Sequence, residues 1–274
     1  MKQTIDFGKQ LYKQIIEADV FGLSAQLAYF FLLSLFPFLL FLITLLGYLP
    51  IDAMSVTDFL GAYAPDEIVE LINTNLTQLV NAQNGGLLSI GIIGTLWSAS
   101  NGVNAITKSF NRAYEVEEDR SFIVGRLIAV ALTIGMVIVI GVALLLPVFG
   151  KAIGVYIFSF IDLSEGFLNM WNTLRWVISS IIFFTVLLTL YKLAPNVRIK
   201  LKHAMWGSLF ATVGWQLVSL AFSYYVNTLG NYSATYGSLG AVIILMIWFY
   251  ISGIIIITGG VINAVIRSRK IIER

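Results

Sequence analysis

From residue 204 to residue 266 the sequence contains no ionisable side chain other than tyrosine. A run of that length has room for two helices of about 20 residues each, the length that crosses the hydrocarbon core of a bilayer. Over the whole chain 58% of the residues are hydrophobic and 12% are charged, whereas about a quarter of the residues in a soluble domain are charged. The sequence therefore predicts an all-α, polytopic membrane protein.

Six segments have the length and apolar character of a transmembrane helix. We predict spans at residues 25–49, 87–107, 127–148, 176–193, 204–226 and 239–266, within a single membrane domain that covers residues 1–274. Residues 1–24 mix charged and apolar side chains and are predicted to form a cytoplasmic amphipathic segment instead of a cleaved signal peptide. Residues 51–86 and 149–175 are predicted to be amphipathic outer segments.

The basic residues are distributed unequally between the two ends of the predicted spans. All 17 of them except Lys151 and Arg175 lie in the N-terminal segment, the second connection, the fourth connection or the C-terminal segment. Cytoplasmic connections of membrane proteins are enriched in Lys and Arg. This distribution predicts that both termini of the chain are cytoplasmic.

The residues that usually carry catalysis are scarce in this sequence. It has no cysteine, His203 is its only histidine, and no charged residue lies in the middle of any predicted span. Cysteine chemistry is therefore excluded, and proton antiport through a buried carboxylate is disfavoured. The net charge of +2 is too small to indicate a nucleic-acid partner. We predict that the chain is not an enzyme, with no catalytic residue, no metal site, no cofactor and no nucleic-acid partner.

Several predicted spans carry uncharged polar residues along one face. In the second span Trp97, Asn101, Asn104 and Lys108 form one stripe, beside a stripe of small residues that includes Gly94. Two interpretations remain open, because such amides either bond to neighbouring helices or line a polar path. The substrate-path candidates are Gln26, Tyr29, Pro37, Trp97, Asn101, Asn104, Gln216, Asn227, Ser233, Thr235 and Tyr236.

Two opposite charges flank the first two predicted spans on the cytoplasmic side. Asp19 precedes the first span, and Arg112 follows the second. A desolvated ion pair between them would fix the two helix ends. The alternative is that the two charges are solvated separately.

Four stretches of the chain resemble the YihY/BrkB family of bacterial inner-membrane proteins. They are residues 25–47, 96–118, 190–211 and 232–264, which contain LSLFP, NRAY and YSATYGSLGA in that order. The resemblance implies a six-helix fold in the bacterial plasma membrane, with multiple passes. Some members of the family carry a label as a transfer-RNA-processing ribonuclease, but this sequence offers no clustered catalytic residues for that reaction.

The polar spans favour a transporter or translocator of a lipid, an amphiphile or a small solute, without ATP hydrolysis in this chain. A second hypothesis is a non-transporting scaffold for envelope assembly. A ribonuclease or another hydrolase is the least favoured. The partners that we expect are membrane lipids, an unidentified lipid or small-molecule substrate and a second copy of the chain in a homo-oligomer.

Overall fold

A computed structural model describes residues 2–46, 85–137, 165–228 and 239–272, and every regular element within these ranges is a helix. Seven helices are described. They are α1 (Lys2–Glu17), α2 (Val20–Leu46), α3 (Gly85–Ala113), α4 (Phe122–Val137), α5 (Glu165–Leu193), α6 (Leu201–Thr228) and α7 (Leu239–Ile272). The all-α prediction is thus confirmed for the part of the chain that the structure describes.

Four of these helices are long and apolar enough to cross a membrane. The apolar stretches are Val20–Phe41, Gly85–Ala113, Leu201–Phe222 and Val242–Arg269, and two shorter ones are Phe122–Val137 and Val177–Leu193. The structure therefore supports a membrane protein with several apolar helices. The number of six spans and the cytoplasmic location of the termini stay predictions. Most of the predicted outer segments, residues 51–86 and 149–175, lies outside the described residues.

The helices extend beyond the limits that apolar length predicted. Helix α2 begins at Val20 and not at residue 25, and α3 continues past residue 107 to Ala113. The extension of α3 is polar, and it ends where Glu115 adopts a left-handed backbone with φ of 53°. The amide of Glu115 donates to the carbonyl of Arg112, and that of Val116 donates to the carbonyl of Asn111. This is the Schellman type of helix end, and it determines where the next loop begins.

The chain forms two compact units, which we describe separately. Unit 1 comprises residues 1–30 and 100–274, and unit 2 comprises residues 31–99. In unit 1, α6 packs against both α5 and α7, and α1 packs against α7. The largest fully buried side chains of this unit belong to Tyr191, Phe110, Leu27, Ile106, Leu190 and Ile257.

Helices α6 and α7 approach closely at a pair of glycines. A Cβ atom added at Gly207 would collide with the carbonyl oxygen of Gly259 and with the side chain of Asn263. The fully buried amide of Asn263 accepts a hydrogen bond from the Gly207 N–H at 2.7 Å and donates to the Ala204 carbonyl at 3.1 Å. Small residues permit such close contact between membrane helices.

In unit 2 the second half of α2 lies against the first half of α3. A Cβ atom added at Gly91 would stand 2.8 Å from the backbone nitrogen of Phe41, and one at Gly94 would stand 3.0 Å from the Cβ of Pro37. The small residues on this face of α3 therefore allow the two helices to approach at the level of Pro37, which lies inside α2.

Candidate functional site

Unit 1 contains a cavity of about 480 Å³ between α2, α3, α4 and the loop that joins α3 to α4. We call it the α2–α4 cavity. It lies at the end of α3 and the start of α4, where Lys108 and Arg126 are located. Its lining consists of Gln26, Phe30, Asn101, Asn104, Thr107, Lys108, Asn111, Glu118, Arg120, Ser121, Phe122, Gly125, Arg126 and Ile128.

One face of α3 supplies the longest wall of the cavity. Asn101, Asn104, Lys108 and Asn111 recur at intervals of three or four residues, which places them on the same side of a helix. The opposite side of α3 is apolar and fully buried at Val103, Ile106 and Phe110 among others. Burial of that apolar side directs the amides and the lysine toward the cavity.

The α3–α4 loop is fastened to the end of α5 by Arg120. The guanidinium of Arg120 donates to the carbonyl oxygens of Ala194 at 3.1 Å and Pro195 at 2.6 Å. Carbonyl groups at a helix C-terminus lack partners within the helix and attract cations. Arg120 thus holds its loop in place by donating hydrogen bonds to the carbonyl groups at the end of α5.

Asn111 strengthens the same connection from inside α3. Its amide donates to Glu118 Oε2 at 2.7 Å, and its side-chain oxygen accepts from the backbone N–H of Asn196 at 2.7 Å. The other oxygen of Glu118 lies 3.6 Å from Nε of Arg120. The carboxylate of Glu118 is therefore engaged by two neighbours, and one wall of the cavity is tied to the segment between α5 and α6.

Helix α4 contributes a second cation. Arg126 is half-buried, and its Nη1 donates to Oδ1 of Asn101 at 2.7 Å. This bond uses one of the two acceptor positions of the Asn101 oxygen and leaves the N–H donors of the amide available. The aromatic ring of Phe122, one turn before Arg126, adds apolar surface to the same wall.

Three polar side chains of the cavity have no partner within the described part of the chain. For Gln26, Asn104 and Lys108 the structure shows neither a hydrogen bond nor an ion pair there. Lys108 is solvent-exposed, whereas the two amides are half-buried. Burying an amide without a hydrogen-bond partner costs free energy. A ligand that forms hydrogen bonds with these groups would offset that cost, so they are well placed to bind one.

The structure brings three of the predicted path residues together and places others elsewhere. Gln26, Asn101 and Asn104 line the α2–α4 cavity. Gln216 does not line it, and its Nε2 instead donates to Ser180 Oγ at 2.7 Å, between α6 and α5. The Gln216 amide is therefore satisfied by a neighbouring helix, which is the packing interpretation that the sequence left open.

The remaining path candidates lie outside the cavity or outside the described residues. The side chains of Tyr29 and Trp97 are each 58% exposed, and Pro37 and Trp97 belong to unit 2. Asn227 lies near the end of α6, but only its backbone is described. The predictions for Ser233, Thr235 and Tyr236 fall outside the described residues.

Asp19 and Arg112 do approach each other. Arg112 Nη1 lies 3.1 Å from Asp19 Oδ2, with both side chains 51% exposed. Asp19 also has a left-handed backbone, with φ of 53°, at the break between α1 and α2. The contact is thus an ion pair at the surface and not a desolvated one, and such pairs contribute between about 0 and 1 kcal/mol.

Most of the charged residues of the cavity were not predicted from the sequence. Lys108 belonged to the polar stripe of α3 but was not among the site candidates, and its heptad spacing from Asn101 was the available signal. Arg120 and Arg126 gave no such signal, because their partners are brought near by the turn after α3. Among the described residues, no three His, Asp or Glu side chains are grouped as metal ligands.

Comparison with known proteins gives consistent matches along the whole chain. The family described as Virulence factor BrkB matches residues 11–274. The ribonuclease-like protein YfkH of Bacillus subtilis is 52% identical, over 97% of this chain and 97% of its own length. A UPF0761 membrane protein of Photobacterium profundum is 28% identical, over 98% of this chain and 83% of its own length. No solved structure matches the chain.

Proposed function

Because this chain belongs to the BrkB virulence factor family, whose relatives include membrane proteins, we propose that it translocates an amphiphile across the bacterial plasma membrane. The α2–α4 cavity binds the polar part of the amphiphile, while its apolar part stays in contact with lipid. The observation that carries this proposal is the set of unpartnered groups, Gln26, Asn104 and Lys108, on the wall of one cavity.

The mixed lining of the cavity supports an amphiphile over a small hydrophilic solute. Phe30, Phe122 and Ile128 contribute apolar surface next to the amides of α2 and α3. Ligand sites with a largely apolar lining and a few polar groups bind molecules that contain both kinds of surface. The position of the cavity near the basic ends of the helices corresponds to the level of lipid headgroups.

A nuclease function receives no support from the chemistry of this cavity. The only carboxylate among its described lining residues, that of Glu118, is engaged by Asn111 and Arg120, and the other polar groups of this lining are amides, hydroxyls and cations. General base catalysis most often uses an imidazole or a carboxylate, and these groups also serve as ligands of catalytic metal ions. The ribonuclease-like name of the Bacillus subtilis relative is therefore not extended to this chain.

The test is lipid movement in liposomes that contain the purified protein. A fluorescent phospholipid in the inner leaflet is protected from an added quencher until it crosses to the outer leaflet. We expect faster crossing than in protein-free liposomes, and we expect Asn104→Leu to slow it roughly five-fold, because one hydrogen bond of about 1 kcal/mol to the ligand is lost.

Gln216→Leu is the matched control, since it removes an amide of the same bundle that lies outside the cavity. Its crossing rate should equal that of the unaltered protein once both variants are shown to be folded by their melting curves. Crossing no faster than in protein-free liposomes, or equal slowing by both substitutions, would contradict the proposal.

One observation favours the alternative of a non-transporting envelope scaffold. A second, apolar groove of about 530 Å³ runs along α6 and α7 in unit 1, lined by Trp206, Leu209, Phe210, Val213, Gly214, Leu217, Ile262 and Ile266. Such a surface suits an apolar helix of another protein or of a second copy. Under this alternative the liposomes show no lipid movement and the protein purifies in a stoichiometric complex.

A further inference from the structure

We infer that the α2–α4 cavity selects an anionic headgroup of the phosphate-ester class, with Lys108 as the group that contacts the phosphate. This inference rests on the proposed function and specifies the chemistry of its substrate. It is carried by the balance of charges and hydrogen-bond donors on the cavity wall.

The cavity has an excess of positive charge. Its ionisable lining groups are Lys108, Glu118, Arg120 and Arg126, three cations and one carboxylate. Glu118 and Arg120 lie 3.6 Å apart and neutralise each other. The positive charge of Lys108 has no ion-pair partner in the described part of the chain, and Arg126 adds a further cation to the lining.

The hydrogen-bonding groups of the cavity also favour an acceptor-rich ligand. Lysine offers only donors, and the Asn101 amide keeps its N–H donors while Arg126 already occupies one acceptor position of its oxygen. The Glu118 carboxylate, which would be needed to bind a quaternary or primary ammonium group, is engaged elsewhere. A phosphate ester supplies several acceptor oxygens with negative charge, whereas a zwitterionic headgroup adds a cation that has no counter-charge here.

The geometry allows one ligand to contact several of these donors. Asn104 lies one turn before Lys108 on α3, and Thr107 adjoins Lys108 in the same wall. Arg126 approaches the Asn101 end of this wall from α4. Lys108 lies seven positions after Asn101, or about 10 Å along the helix, and Asn104 lies between them on the same wall.

Binding measurements on the purified full-length protein test the inference. The probes are a short-chain phosphatidic acid, the corresponding phosphatidylcholine and inorganic phosphate. We expect the phosphatidic acid to bind more tightly than the phosphatidylcholine, and we expect added salt to weaken its binding. Tighter binding of the phosphatidic acid than of inorganic phosphate identifies a lipid source, and equal binding of the two identifies a soluble phosphate ester.

Variants assign the binding to Lys108. Lys108→Gln should weaken phosphatidic acid about five-fold or more, because a charge-assisted hydrogen bond is lost, while Lys108→Arg should retain most of the affinity. Lys202→Gln is the matched control, because Lys202 is an exposed lysine of α6 outside the cavity. Equal binding of the two lipids, or equal losses in Lys108→Gln and Lys202→Gln, would overturn the inference.

If the Lys108→Gln variant fails to fold, the Lys108→Arg variant and the salt dependence of the unaltered protein still decide the question. The two proposals also fail separately. Lipid crossing at equal rates for phosphatidic acid and phosphatidylcholine would preserve translocation and remove the anion preference. Selective binding of phosphatidic acid without any crossing would preserve the anionic site and remove translocation.

Discussion

Two buried tyrosine hydroxyls of unit 1 differ in whether they have a hydrogen-bond partner. Tyr191 donates to the carbonyl oxygen of Ile256 at 2.7 Å. The hydroxyl of Tyr114 is buried without a hydrogen-bond partner in the described part of the chain. Burial raises the pKa of Tyr114 well above its usual range, although Arg267, 5.6 Å from the ring centre, acts in the opposite direction.

This difference predicts opposite effects of the same substitution. Tyr191→Phe leaves the Ile256 carbonyl without this donor and should lower the free energy of unfolding by about 1 kcal/mol. Tyr114→Phe removes an unsatisfied polar group and should leave stability unchanged or raise it slightly. Thermal unfolding in detergent, followed by tryptophan fluorescence, measures both. A larger loss in Tyr114→Phe than in Tyr191→Phe would contradict the assignment.

Residue periodicity revealed only part of the candidate site. The polar stripe of α3 was visible in the sequence, because Asn101 and Asn104 lie within an apolar segment. The interaction of Arg120 with Ala194 was not visible, because 74 positions separate the two residues and no local pattern encodes contacts across that distance. Gln216 was predicted to be a path residue because its partner, Ser180, lies on a different helix and no local pattern indicates that contact.

At the scale of elements, the crossing of α6 and α7 depends on the absence of a side chain at Gly207. Gly207→Ala should lower the free energy of unfolding by about 1–3 kcal/mol, because its Cβ would collide with Gly259 and Asn263. Gly135→Ala is the matched control in α4, where a new Cβ meets nothing within 4 Å. The control should be neutral or more stable by up to about 1 kcal/mol.

Both glycine variants are compared by melting temperature in the same detergent. Similar melting temperatures for the two would show that α6 and α7 do not need this close approach.

The existence of these helices followed from their apolar length, but the crossing point did not. It requires the small residues of two helices and the amide of Asn263 to lie at the same level, which a single sequence does not reveal.

At the scale of the whole molecule, the orientation in the membrane remains a prediction from the basic residues. The chain has no cysteine, so single cysteines can be introduced and labelled selectively. We expect Lys200→Cys to react with a membrane-impermeant thiol reagent only after the cytoplasmic side is exposed. Lys151→Cys, at a position outside the described residues, should react in intact cells.

The reverse labelling pattern would overturn the predicted topology, and labelling of both positions from one side would change the number of spans. Composition alone was sufficient to indicate a membrane protein, because only 12% of the residues are charged, about half the fraction in a soluble domain. It was insufficient for the cavity, which arises from the loop after α3 and its attachment to the end of α5.

Helix α1 completes its contacts only with residues that are synthesised much later. Gln10 donates to Ser268 at 3.2 Å and accepts from Nε of Arg269 at 2.9 Å, and 258 positions separate Gln10 from Ser268. At ribosomal speeds of about 5–20 residues per second, that interval is roughly 13 to 50 seconds. Helix α1 therefore leaves the ribosome long before α7 exists, and the docking of α1 on α7 is a late event in the biogenesis of this protein.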